Sequence, residues 1–188
     1  MKREQLEAFN DAVIAIIVTL MVLEIKLPEF QSGQYLPLAR HIAIYGLSFV
    51  VVAVTWLNNH TTLVHLERVS VRIIWLDMLL LFFISLIPLP TAALGEQFHE
   101  RDAHIFYAIV LGCCSGAFTL LHRELFKEIR HLTLDERTAT TRMHWLTVSC
   151  YFCAVPLAFV SVYLSLLVFI AMPSLYFIPS RKLLVVTE

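Results

Sequence analysis

Along this chain the apolar residues gather into long blocks, and the charged residues are swept into the joins between them. Block length decides the class of fold. At about 1.5 Å of rise per residue, roughly 20 apolar residues carry a helix across the ~30 Å hydrocarbon layer of a bilayer. Blocks of that order lie near 5–27, 36–65, 70–94, 104–130 and 142–161, followed by a shorter one near 164–179. The pattern predicts an all-α, polytopic membrane protein whose six transmembrane helices form a single transmembrane domain over residues 1–188. The last stretch, Met143 to Ile178, contains no Asp, Glu, Lys or Arg and is too long for one crossing, so a turn is expected near Ser161 to Ser165. Pro88 and Pro90 predict a kink in the third helix, because each removes a backbone donor and frees a carbonyl that a neighbour must satisfy.

Hydrophobic residues make up 59% of the chain, which excludes an ordinary soluble domain. The net charge of −1 is uninformative until the charges are placed. With six crossings and a cytoplasmic amino terminus, Lys2, Arg3, Arg68, Arg72, Arg123, Lys127, Arg130, Arg137, Arg142, Arg181 and Lys182 fall inside, against Lys26, Arg40 and Arg101 outside. That asymmetry follows the positive-inside rule and predicts a multi-pass protein of the plasma membrane with both termini cytoplasmic. The first apolar run, behind Lys2 and Arg3, is too long and lacks the small-residue cleavage site of a removable leader; it is expected to stay as the first helix. Residues 122–142 are the most polar segment, but acids alternate with bases there, so no nucleic-acid partner is expected.

The first helix separates two faces. At about 100° per residue, Ala12, Ile16, Thr19, Leu20, Leu23 and Leu27 share one stripe, whereas Asp11, Val18, Val22 and Ile25 lie elsewhere, Asp11 about 140° from Ile16. A carboxylate at that depth needs an interior partner, so Asp11 is expected to be pressed into the protomer. The aliphatic stripe is then free to meet lipid, another helix or a pore. A lone threonine such as Thr19 commonly bonds back to its own helix.

The residues Phe9-Asn10-Asp11, the aliphatic run to Leu23, and Glu24-Ile25-Lys26-Leu27-Pro28 resemble the first helix of the prokaryotic branch of the transmembrane protein 175 family, the lysosomal potassium channel family. Asn10 stands where that family has serine, and Gln5 where it has a basic residue, with Lys2 and Arg3 nearby. Trp56-Leu57-Asn58-Asn59-His60 is similar to the family's second-helix signature, Asn59 replacing a histidine, and Pro88-Leu89-Pro90 to a feature of its third helix. The resemblance implies a homotetramer whose first helices line a central pore and conduct K⁺ selectively, with no cofactor and no bound metal beyond the permeant ion. It selects Ile16, Leu20 and Leu23 as the constriction, Thr19 as a hydroxyl ring beside it, Glu24 as an acidic group at the mouth, and Phe9, Asn10, Asp11, Trp56 and His60 as a structural network. A ring of branched aliphatics gates by dewetting. His60 is expected to meet the Asn10/Asp11 end of the first helix, directly or through water.

Other polar residues offer other chemistry. Asp77 reads as structural and within reach of Arg72. His99 and His104, in the polar join before the fourth helix, could be read as a proton-sensing or metal pair, but no other ligand of the right spacing accompanies them and a solvated join is the expected reading. Gly112, Ser115, Gly116 and Ala117 form a small-residue face suited to close helix packing. Cys150 and Cys153 make a C-x-x-C inside an apolar helix, which keeps a membrane thiol oxidoreductase open as a rival function. A secondary transporter is the other rival, although no internal repeat accompanies it.

Overall fold

The computed structural model of the chain describes residues 2–25, 35–64, 66, 69–128 and 134–177. Lys26, Leu27, Pro28, Arg68, Arg130, Arg181 and Lys182 lie outside the described residues. Among the described residues seven helices follow one another: α1 (Arg3–Leu23), α2 (Tyr35–Val64), α3 (Val71–Leu86), α4 (Pro88–Glu96), α5 (Arg101–Glu128), α6 (Leu134–Val160) and α7 (Val162–Phe177). Among the described residues five continuous segments are long and apolar enough to cross a membrane, α3 and α4 counting as one, and Val162–Leu175 adds a shorter apolar helix.

Local chemistry explains the breaks. Ser70 caps α3, its hydroxyl accepting from the Ile73 amide at 3.3 Å. Pro88 has no amide to give to the Ile84 carbonyl, and the Ile87 N–H takes that acceptor instead at 3.0 Å, a tighter turn that separates α3 from α4 without ending the crossing. The Ile87 carbonyl is bonded by both the amide and the hydroxyl of Thr91. Between α6 and α7 the break is one residue, Ser161, at the near edge of the interval where the turn is expected.

Side-chain contacts fix the direction of each helix. Arg3 Nη1 donates to the Val64 carbonyl at 2.6 Å, so α1 starts where α2 ends. His41 of α2 lies against Gly95 of α4, whose added Cβ would sit 2.7 Å from the His41 ring. Arg72 at the start of α3 pairs with Glu124 near the end of α5 at 3.3 Å. Arg101 at the start of α5 lies over the Phe159 ring at the end of α6, at 4.6 Å. His104 of α5 meets Ser165 of α7. The crossings therefore alternate, and α6 and α7 form a sharp hairpin. α5 is the most enclosed helix, packed by α3, α4, α6 and α7, whereas α1 lies at the edge of the bundle against α2, α3 and α4.

Several expectations need correction. Asp77 does not meet Arg72; five residues apart on one helix, the two side chains diverge by about 140°, and Arg72 turns to Glu124 instead. His104 is not part of a solvated join but is buried in the first turn of α5, its two ring nitrogens 2.8 Å from the Ser165 hydroxyl and 2.8 Å from the Phe98 carbonyl. His99 remains exposed, edge-on to Phe98. The small-residue face of α5 is divided: a Cβ on Gly112 would come within 3.0 Å of the Phe152 ring of α6, whereas one on Gly116 would meet nothing within 4 Å.

Candidate functional site

The candidate site is the outer face of α1 together with the polar contacts that fix which face that is. Leu6, Asn10, Ile14, Ile17 and Met21 are buried. Their spacing gathers them into one arc, centred about 120° from Ile16 on the wheel. The opposite arc is uncovered: Ile16 is 58% exposed, Leu20 49% and Leu23 78%. In a membrane-spanning helix, branched aliphatics left bare on the side away from the buried arc face lipid, another helix or a second copy of the chain.

The rotation of α1 is set by two polar clusters in its first half. In the first, Asp77 of α3 is fully buried, and each of its carboxylate oxygens accepts from an amide: Oδ2 from Asn10 Nδ2 at 2.8 Å and Oδ1 from Asn59 Nδ2 at 3.1 Å. Asn10 Nδ2 also donates to the Leu6 carbonyl at 3.1 Å. An ionisable side chain inside an apolar bundle is tolerated when hydrogen bonds occupy it, and here three helices contribute to one carboxylate. In the second cluster, Trp56 Nε1 donates to Asp11 Oδ1 at 2.7 Å, and the Trp56 ring stacks on His60 with centroids 5.4 Å apart. His60 thus approaches the Asn10/Asp11 end of α1 through Trp56. Asp11 itself is on the exposed flank, one position round from Asn10, which occupies the buried place expected of the carboxylate.

Thr19 donates its hydroxyl to the Ile16 carbonyl at 2.7 Å, leaving oxygen lone pairs toward the uncovered face. Glu24 caps α1 and is exposed. Phe9 is 46% exposed and lies about 20° from Ile16 on the wheel, so its ring belongs to the outer face rather than to the buried clusters. Arg3, two positions before Gln5, takes up the anchoring of α1 through Val64 and an i,i+4 pair with Glu7 at 3.3 Å.

Sequence reasoning missed Asp77 and Asn59 as members of this network. The signal was present in part: Asp77 sits between Trp75-Leu76 and Met78-Leu79, deep in an apolar run, where a carboxylate demands donors from other helices. Elsewhere, Cys113, Cys114, Cys150 and Cys153 are free thiols. Among the described residues no group of three or more His, Cys, Asp or Glu side chains is placed to hold a metal ion.

Residues 5–88, which contain all but the first two residues of α1, then α2, α3 and the start of α4, match the family described as the endosomal/lysosomal potassium channel TMEM175. A potassium channel of Chryseobacterium sp. (strain P1-3) is 29% identical over 185 residues, covering 97% of this chain and 96% of that protein. The mouse endosomal/lysosomal proton channel TMEM175 is 28% identical over 149 residues, a region that is 65% of this chain and 29% of the mouse protein. The crystal structure of a lysosomal potassium-selective channel TMEM175 homolog from Chamaesiphon minutus superposes with a TM-score of 0.79 at 29% identity, covering 93% of this chain and 96% of that one. The likeness runs beyond the matched first helices to nearly the whole chain, and with it the thiol oxidoreductase reading gives way: the chain is similar over almost its full length to bacterial potassium channels and to a solved TMEM175 homolog.

Proposed function

We propose that this chain forms a potassium-selective channel in which four identical copies bring α1 to a common axis, with Ile16, Leu20 and Leu23 as the constriction, the Thr19 hydroxyl beside it and Glu24 at the mouth. The observation that carries this reading is the outer face of α1, where those three aliphatic side chains stay exposed in the folded protomer. One helix cannot enclose a pathway, and closed cyclic symmetry is the usual way for identical copies to do so. The names of the bacterial relatives supply the ion. The relative in mouse is called a proton channel, so the proton is the competing permeant species. No cofactor is needed; the bilayer and the permeant monovalent cation are the partners.

The orientation belongs to the same proposal. Arg3, Arg72, Arg123, Lys127, Arg137 and Arg142 gather at one end of the alternating crossings and Arg40 and Arg101 at the other, which favours a plasma-membrane protein with both termini cytoplasmic.

The test is flux through the reconstituted protein. Under opposed K⁺ and Na⁺ gradients the reversal potential is expected near the K⁺ equilibrium value and insensitive to a superimposed pH gradient. Ile16→Asn and Leu23→Asn are expected to raise leak current, since a polar ring wets the neck. Asp11→Ala is expected to lower the yield of assembled protein rather than to change selectivity. Currents unchanged by both neck substitutions would remove α1 from the pathway, and a reversal potential that follows pH would reassign the ion.

A further inference from the structure

We propose that the cleft between the end of α5 and the start of α6 binds the headgroup of an anionic glycerophospholipid from the leaflet that meets that end of the bundle. The cleft is an open cavity of about 420 Å³ lined by Arg123, Phe126 and Lys127 from α5 and by Arg137, Arg142 and Trp145 from α6. It is remote in the packing from the α1 face, because α1 packs on α2, α3 and α4. The inference rests on membrane insertion alone and holds whichever ion the channel passes.

Three features select the ligand. The first is charge. Four cations converge on one cavity; Lys127 is bonded to Glu124, which also receives Arg72, while Arg123 acts on Glu124 only at a distance and, like Arg142, is in no ion pair among the described residues. Arginine side chains not held in an internal ion pair are suited to bidentate binding of a phosphate. The second is the apolar wall. Phe126 and Trp145, the latter 45% exposed, lie beside the cations. Inorganic phosphate has no use for that surface, whereas a phospholipid places a phosphate directly above a glycerol backbone and two acyl chains. The volume agrees, since cavities of roughly 300–1,000 Å³ hold ligands far larger than a phosphate ion. The third is depth. The lining residues fall at the last turns of the crossing Arg101–Glu128 and the first turns of the crossing Arg137–Val160, at the level where headgroups lie and where tryptophan prefers to sit.

Trp145 makes the site measurable. The full chain is reconstituted in phosphatidylcholine vesicles containing a rising fraction of phosphatidylglycerol with brominated acyl chains, and tryptophan fluorescence is followed. The Trp145→Phe protein is the blank that removes the signal of Trp56 and Trp75. Half-maximal quenching of the Trp145 component is expected at a much lower fraction of brominated phosphatidylglycerol than of brominated phosphatidylcholine. Each cation near an anionic surface contributes about a factor of five, so Arg123→Gln with Arg142→Gln is expected to raise the half-maximal fraction more than tenfold, and Arg123→Lys with Arg142→Lys to leave most of the preference intact.

Equal quenching by the two lipids, or quenching indifferent to the glutamine substitutions, overturns the proposal. Displacement of phosphatidylglycerol by inorganic phosphate at constant ionic strength assigns the cleft to a soluble anion and also overturns it. A Trp145 quenched by neither lipid shows the cleft to be covered by another copy of the chain, with the same consequence.

Discussion

The hydrogen bond from Asn10 to Asp77 ties the face of α1 to the rest of the protomer, and its worth can be worked out. It is short, 2.8 Å, fully buried, and made to a carboxylate. Hydrogen bonds to charged groups are worth about 1.5–3 kcal/mol in soluble proteins. Interhelical bonds inside membranes measure less, about 0.6 kcal/mol on average and ~1.7 at most, because the separated helices find other partners. The short distance and the full burial put Asn10–Asp77 at the upper end of the membrane range, about 1.5 kcal/mol, or roughly tenfold in an equilibrium constant. Asn59–Asp77, at 3.1 Å, is expected to be somewhat weaker. The assay is a double-mutant cycle of Asn10→Ala and Asp77→Ala, read by detergent-induced unfolding of the purified protein. Asn10→Ala strips one oxygen of a buried carboxylate of its donor. In the Asp77→Ala background the same change removes an amide left with only the Leu6 carbonyl as acceptor, so it is expected to cost little. A coupling energy below about 0.3 kcal/mol, indistinguishable from additivity, would refute the assignment of Asp77 as the acceptor that orients α1.

Three further outcomes follow from the packing. Gly95→Ala is expected to cost about 1–3 kcal/mol by overpacking, because its Cβ would lie 2.7 Å from the His41 ring; His41→Ala in the same chain restores most of the loss, measured as thermal unfolding in detergent. Trp56→Phe keeps a ring against His60 but removes the donor to Asp11, and is expected to cost about 1 kcal/mol; in an Asp11→Asn background the same change is expected to cost about half as much, since the acceptor no longer carries charge. Gly112→Ala brings a methyl to within 3.0 Å of the Phe152 ring and is expected to lower the melting temperature, whereas Gly116→Ala, which meets nothing within 4 Å, is expected to leave it unchanged or raise it slightly.

The helical membrane class was legible because it depends on block length and on where charges are absent, both of which are one-dimensional. Relative angles on α1 were legible for the same reason: the separation between Ile16 and Asp11 is a matter of counting. The absolute rotation was not. Asn10 and Asp11 are adjacent, about 100° apart, and periodicity does not say which of the two enters the protomer; the answer depends on Asp77, which is 67 residues from Asn10. A carboxylate already buried on α3 makes a second one costly, so the neutral amide goes inward and Asp11 is left on the flank, held by an indole. His104 illustrates the opposite failure. Its neighbours Glu100, Arg101 and Asp102 are exposed and polar, and composition alone placed it with them, yet Ser165, 61 residues later, draws it inside.

The two halves of α1 are held by different forces, and this bears on how a channel of this kind would move. The first half is fastened by directional contacts: Arg3 to the Val64 carbonyl, Asn10 to Asp77, and Trp56 to Asp11. Beyond Asp11 the buried residues are Ile14, Ile17 and Met21, whose packing is non-directional. Small sliding or tilting of such a surface exchanges one set of dispersion contacts for another at little cost, whereas the same displacement at Asn10 breaks a charge-assisted bond. Ile16, Leu20 and Leu23 all project from the loosely held half. A change in neck width under the proposed reading would therefore be a pivot about the Asn10–Asp77 level rather than a rotation of the whole helix. Cysteine accessibility distinguishes the two, since a pivot alters modification at Leu20 and Leu23 between conducting and non-conducting conditions and leaves Phe9 constant, while a rotation changes all three together.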